Sequence, residues 1–325
     1  MARSDHAIIF YLSVEGGTLA FLIAIIGSRS PRALEGATRY FLASAMGSLA
    51  ILYSISCALV CGGPLELWSW SRSALGGLVL VLLIFKLSLF PLHFLFPDIV
   101  ESSPLQFLPV WLGWMKVFFF VALVKLFSLV GLTSIWGSLL VGAVGVTSQS
   151  RLLRGVAYFS INSSGWLVLG ASTGLPLPLG FFISFFVLYS LSVHALSNWW
   201  RTSALHPGSF MVELGRLAPD GGKFIGVLVL AWLGVPPLIS FWWKWEILVS
   251  CVSVGGYLTV LISLLCSSLV LFFVLRVIRL ISFSALPGRV PLVVSPSSLA
   301  ASGPILFISL GTFVVWPSLT VILYI

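Results

Sequence analysis

Ten apolar stretches of roughly 20 residues, each long enough to cross a bilayer as a helix, leave this chain almost no room for a soluble fold. They run near 7–27, 40–61, 75–96, 105–127, 129–147, 153–170, 178–196, 224–249, 256–282 and 304–325. Charge is scarce to match: 8% of the 325 residues are charged and 59% are hydrophobic. A soluble domain carries about 25% charge. The longest polar segment, 197–223, is too short to build its own core. The chain therefore reads as an all-α polytopic membrane protein, a single membrane domain over 1–325.

Basic residues test the helix count. If the chain alternates sides, one set of loops is 28–39, 97–104, 148–152, 197–223 and 283–303. With their helix-end neighbours these carry Arg29, Arg32, Arg39, Arg151, Arg154, Arg201, Arg216, Lys223, Arg276, Arg279 and Arg289. The other side holds only Arg3 and Arg72. That bias is what the positive-inside rule expects of a correct topology. It predicts both termini on the positive-poor side. The net charge of +8 is thus a topology signal. The arginines are scattered singly and form no stripe for nucleic acid.

Only five lysines are present, and three lie deep inside apolar spans: Lys86, Lys116 and Lys244. Glu15 joins them in the first span. An ionisable group in hydrocarbon costs about 3 kcal/mol or more unless it faces a partner or a wet cavity. Four such residues in four spans predict a charge relay. Lysine suits that work, because a buried amine can release its proton and a nearby carboxylate favours its return. Arginine keeps its proton, and here the arginines lie in loops or near helix ends.

Two of these spans are interrupted by proline. Pro91 follows Lys86 and frees the carbonyl of Leu87; Pro236 and Pro237 precede Lys244. Freed carbonyls at membrane depth need protein or water, so each break predicts a polar pocket beside its lysine. His93 and His194 are further candidates for passing protons, since an unperturbed histidine titrates near about pH 6.5. Asp98 and Glu101 are expected in a short loop, capping a helix or meeting a neighbouring subunit. Lys125 lies nearer its helix end, where snorkelling is expected. No haem ligand pair, iron–sulfur cysteine set, GxGxxG or Walker A motif is present. No cofactor and no metal is expected in this chain.

Four blocks carry a family resemblance: "SVEGGTLAFL" with "SPRALEGATRYFLASAMGS", "KLSLFPLHFLFPDIVESSPL", "SQSRLLRGVAYFSINSSGW" and "LGVPPLISFWWKWEIL". In order and spacing they resemble the chain-2 family of NADH:ubiquinone oxidoreductase, mitochondrial respiratory complex I. These are antiporter-like membrane subunits. The resemblance runs from Tyr11 to Arg279. It implies that Glu15 pairs with the first lysine, Lys86, that Lys116 is the central lysine, and that Lys244 leads toward the exit or the next subunit. It implies proton translocation coupled to quinone reduction, with NADH, FMN, iron–sulfur clusters and ubiquinone held by other subunits. Other membrane-arm subunits and lipids such as cardiolipin are the implied partners, and the mitochondrial inner membrane the implied location, with termini toward the intermembrane space. The sequence departs from the family at Gly17, at Ser240 and in "FSINSSGW", which lacks a histidine. It also lacks the family's first helix, a gap that another subunit or fragment is expected to fill. Two other readings stay open: a free-standing cation/proton antiporter, and a structural subunit that does not pump.

Overall fold

The structure, a computed structural model, describes residues 7–27, 30–61, 74–125, 131–173, 179–202 and 239–282. All regular elements among them are helical. They are α1 (Ala7–Ile26), α2 (Pro31–Val60), α3 (Ala74–Lys86), α4 (Leu95–Ser102), α5 (Met115–Lys125), α6 (Leu132–Ser148), α7 (Leu152–Ser172), α8 (Leu179–Thr202), α9 (Ile239–Ser253) and α10 (Tyr257–Ser282). A 3₁₀ turn (Leu105–Phe107) and a π-helical turn (Val110–Trp114) lead into α5. The expected spans recur in order, with α2 starting nine residues earlier than the apolar pattern suggested. The tenth, 304–325, lies outside the described residues, as do Pro236 and Pro237. Among the described residues, α1, α2 and 257–279 are long and apolar enough to cross a membrane. Shorter apolar helices lie at 76–86, 110–121 and 132–148.

The bundle is apolar outside, and its apolar core encloses a smaller set of buried polar and charged side chains. Ile8, Ile9, Leu12, Leu19 and Ile23 of α1 are exposed, while Lys86, Lys116, Ser160 and Ser164 are buried. An exposed apolar surface this broad fits a hydrocarbon surround. α7 is the central wall and packs against α4, α5, α6 and α9. Its closest partner is α6. A Cβ on Gly142 would stand 2.7 Å from Asn162 N, and one on Gly165 would stand 2.8 Å from Ser138 Oγ. Small residues on both faces let the two backbones approach. The contact is pinned by Asn162 Nδ2, which donates to the Leu139 carbonyl at 3.1 Å.

The third span breaks where a proline was expected to break it, but by a different device. α3 stops at Lys86, and Ser88 takes a left-handed φ of 56°. Ser88 N–H donates to Phe85 O at 2.9 Å and Leu89 N–H to Ile84 O at 2.8 Å. This is a Schellman stop, usually built on glycine; the serine costs about 1 kcal/mol or more of backbone strain. The Leu87 carbonyl is taken by Ser88 Oγ at 2.6 Å.

Asp98 and Glu101 are not in a loop. They lie on α4, the second half of the broken span. Glu101 accepts from both Arg151 and Arg154, and Arg154 Nη2 also meets Asp98 Oδ1 at 3.0 Å. The first turn of α7 thus clamps α4. Arg32 and Arg39 of α2 line the same cavity of about 250 Å³, so residues from three loops assigned to one side do converge. Glu101→Ala removes the acceptor that two arginines share. It is expected to cost about 1 kcal/mol, because the arginines stay partly solvated. The purified protein should melt a few degrees lower in detergent. Glu35→Ala, which breaks only an exposed pair with Arg39 on α2, should leave the melting point unchanged.

Candidate functional site

Lys116 sits two residues past the end of the π-helical segment and is 3% exposed. Its Nζ donates to Ser164 Oγ at 2.8 Å, to Ser160 Oγ and the Ser160 carbonyl at 3.1 Å each, and to Ser88 Oγ at 3.3 Å. The Phe96 ring lies 4.8 Å from the same nitrogen. An ammonium has three N–H donors, so the oxygens of α7 and of the Ser88 stop satisfy it fully without a carboxylate. This is how a cation survives in an apolar bundle. Ser160 reaches the site by bonding back to Ala157 O, and Ser164 by bonding back to Ser160 O. Tyr189 of α8 lies beside Ser160 and Ser163 of α7.

Lys86, the last residue of α3, is 8% exposed. It does not bridge directly to Glu15. Its Nζ donates to Tyr40 Oη at 3.2 Å and stands over the Tyr40 and Phe119 rings at 4.9 and 5.7 Å. Tyr40 is held by Trp111 edge to face at 4.5 Å, and Phe21 stacks on Trp111 at 4.4 Å. Glu15, half-buried on α1, exerts its charge on both Lys86 and Tyr40, and its Oε1 is buried with no hydrogen-bond partner. The expected pair is therefore electrostatic, with the tyrosine hydroxyl as the group in contact.

Lys244 lies on α9, its Nζ 5.4 Å from the Trp166 ring of α7. Ser164 and Trp166 are two residues apart, so α7 meets Lys116 on one stretch and Lys244 on the next. Glu15, Lys86, Lys116 and Lys244 thus come from α1, α3, α5 and α9, and α2 and α7 link them. His93 stands just past the break, stacked on Phe90 at 5.9 Å, with Nδ1 buried and unpartnered. His194 is exposed on α8 and its Nε2 lies 3.0 Å from Asn198 Nδ2; it is set apart from the lysines.

A family model described as "NADH:quinone oxidoreductase/Mrp antiporter, TM" matches residues 4–270. The chain belongs to this family. NADH-ubiquinone oxidoreductase chain 2 of Oryctolagus cuniculus is 25% identical over 299 residues, 87% of this chain and 82% of that one. The Metridium senile chain of the same name is 28% identical over 301 residues, 85% of this chain and 77% of that one. Among solved structures, a chain of respiratory complex I from Thermus thermophilus with bound Aureothin is 26% identical, with a TM-score of 0.81 over 96% of this chain and 74% of that one. A chain of the Mrp complex from Dietzia, 15% identical with a TM-score of 0.68 over 76% of this chain and 51% of that one, shares the fold. The antiporter-like bundle expected from the four sequence blocks is the fold this family has.

Within that family fold, sequence reasoning missed Tyr40, Ser88, Ser160 and Ser164. The polar cluster "SINSS" inside an apolar span was a usable signal for the last two. Tyr40 and Ser88 gave none, since neither residue type is out of place in a helix or a turn.

Proposed function

We propose that this chain is a membrane-arm subunit of a respiratory NADH:ubiquinone oxidoreductase. It translocates protons through Glu15, Lys86, Lys116 and Lys244, with His93 as a side branch and His194 as an outlying candidate. The observation that carries the reading is the buried Lys116 ammonium, bound only by neutral oxygens and set between two other lysines. Such a group can hold a proton and can give it up when a neighbouring charge changes. Redox chemistry belongs to other subunits in this reading, which hold NADH, FMN, iron–sulfur clusters and ubiquinone. The neighbours are further antiporter-like subunits and lipids such as cardiolipin. The location is the mitochondrial inner membrane, with the termini toward the intermembrane space.

A native gel of mildly solubilised membranes tests the assignment. This chain should co-migrate with a large band that stains for NADH dehydrogenase activity. Migration alone, or with an assembly inactive toward NADH, would move the assignment to a free-standing cation/proton antiporter. The shared Mrp fold leaves room for that reading, but a cation site wants carboxylates, and lysines outnumber them in the apolar spans of the sequence.

A further inference from the structure

A cavity of about 20 Å³ lies beside Lys86, lined by Tyr40, Trp111 and Phe96 among others. A water needs roughly 10–15 Å³ of such space and two to four polar partners. The volume here fits one water and not two. The lining supplies the partners. Lys86 has three N–H donors, and Tyr40 Oη is its protein acceptor. Trp111 Nε1 is buried with no protein partner at all. Buried donors in this position are normally satisfied by ordered water. One oxygen accepting from Lys86 and Trp111 while donating to Tyr40 answers all three.

Phe96 borders both this cavity and the next lysine. Its ring lines the cavity and lies 4.8 Å from Lys116 Nζ. It is 7% exposed and lies near-parallel to Trp111, 13° between planes at 6.2 Å. It is the second residue of α4, the short helix that Arg151 and Arg154 clamp. Lys116 is saturated by serine oxygens on its other sides.

We propose that this cavity binds one ordered water, held by Lys86, Tyr40 and Trp111, and that Phe96 is the shutter between that water and Lys116. The proposal deepens the relay reading above and rests on it. With the ring in place, an apolar wall blocks the path, as hydrophobic constrictions do in channels. With the ring aside, the Lys86 ammonium gives one proton to the water, and the water gives one to a neutral Lys116 amine. The water is regenerated and no other reactant is needed.

Two measurements on the assembled complex test it. An experimental density map resolving waters should show one water within hydrogen-bond reach of Lys86 Nζ and Trp111 Nε1, and Trp111→Phe should weaken or remove it. A dry cavity would overturn the water site. In reconstituted vesicles, Phe96→Ala should lower the protons translocated per NADH by about twofold or more, because an open constriction leaks. Phe96→Leu, which keeps an apolar plug, should stay near the parent ratio. An unchanged ratio in Phe96→Ala, with Lys116→Met lowering it, overturns the shutter alone. An unchanged ratio in both variants overturns the relay reading beneath it.

Discussion

Replacing Lys116 by methionine is expected to cut proton translocation by roughly tenfold or more, the scale lost when a proton-carrying group is removed. The complex should still assemble. Methionine is close to lysine in length and apolar, so it fills the space without a charge. The oxygens it leaves are not stranded: Ser160 Oγ still donates to Ala157 O at 3.0 Å and Ser164 Oγ to Ser160 O at 2.8 Å. Both serines therefore keep a partner within α7. Lys116→Arg sharpens the test. Arginine retains the positive charge but does not release its proton. If Lys116 were only a fixed cation holding α5 to α7, the arginine variant would restore function where methionine does not. A relay lysine predicts that both fail. The measurement is proton uptake per NADH in vesicles, read beside assembly on a native gel. Full pumping by either variant would remove Lys116 from the path.

Much of this site is legible in the sequence, for a definite reason. Lys86, Lys116 and Lys244 are visible because a charge in an apolar span is costly wherever the span packs. The cost is local, so one sequence displays it. Their partners are not local. Tyr40 lies 46 positions from Lys86, and Ser160 and Ser164 lie 44 and 48 from Lys116. Nothing in a single sequence ties such pairs together. The expected Glu15–Lys86 pair was what the family resemblance implied. It missed that an aromatic hydroxyl, stiffened by Trp111 and Phe21, takes the contact position.

The break in the third span shows the other limit. Pro91 announced an interruption correctly, yet the stop falls at Lys86, set by a serine in a conformation that glycine usually supplies. Short-range rules assign that role to glycine, so Ser88 gave no warning. α4 was hidden for a similar reason. "LFPDIVES" is eight residues long, carries a proline and two acids, and reads as a loop. Its helix is held from outside by the arginines of α7, a tertiary effect that local propensity does not register.

The same tertiary dependence makes Gly142→Val the most damaging single change expected outside the charged set. A Cβ there would lie 2.7 Å from Asn162 N and 2.8 Å from Asn162 Cα. Both are backbone atoms of α7, so no rotamer change relieves the clash. The helices must part. Parting them breaks the bond from Asn162 to Leu139 O and moves Ser160 and Ser164 away from Lys116, since all three residues lie on one rigid helix. Overpacking of this kind costs about 1–3 kcal/mol or more, and here the site moves with the backbone. Both assembly and pumping should fall together. Gly77→Ala provides the contrast. It lies in α3 with nothing within 4 Å of a new Cβ, and replacing a helical glycine stabilises by about 0.5–1 kcal/mol. Comparing the amount of assembled complex in the two variants separates a tight helix contact from glycine content as such. A Gly142→Val complex that assembles and pumps at parent levels would mean that α7 is not the wall on which the lysine site is built.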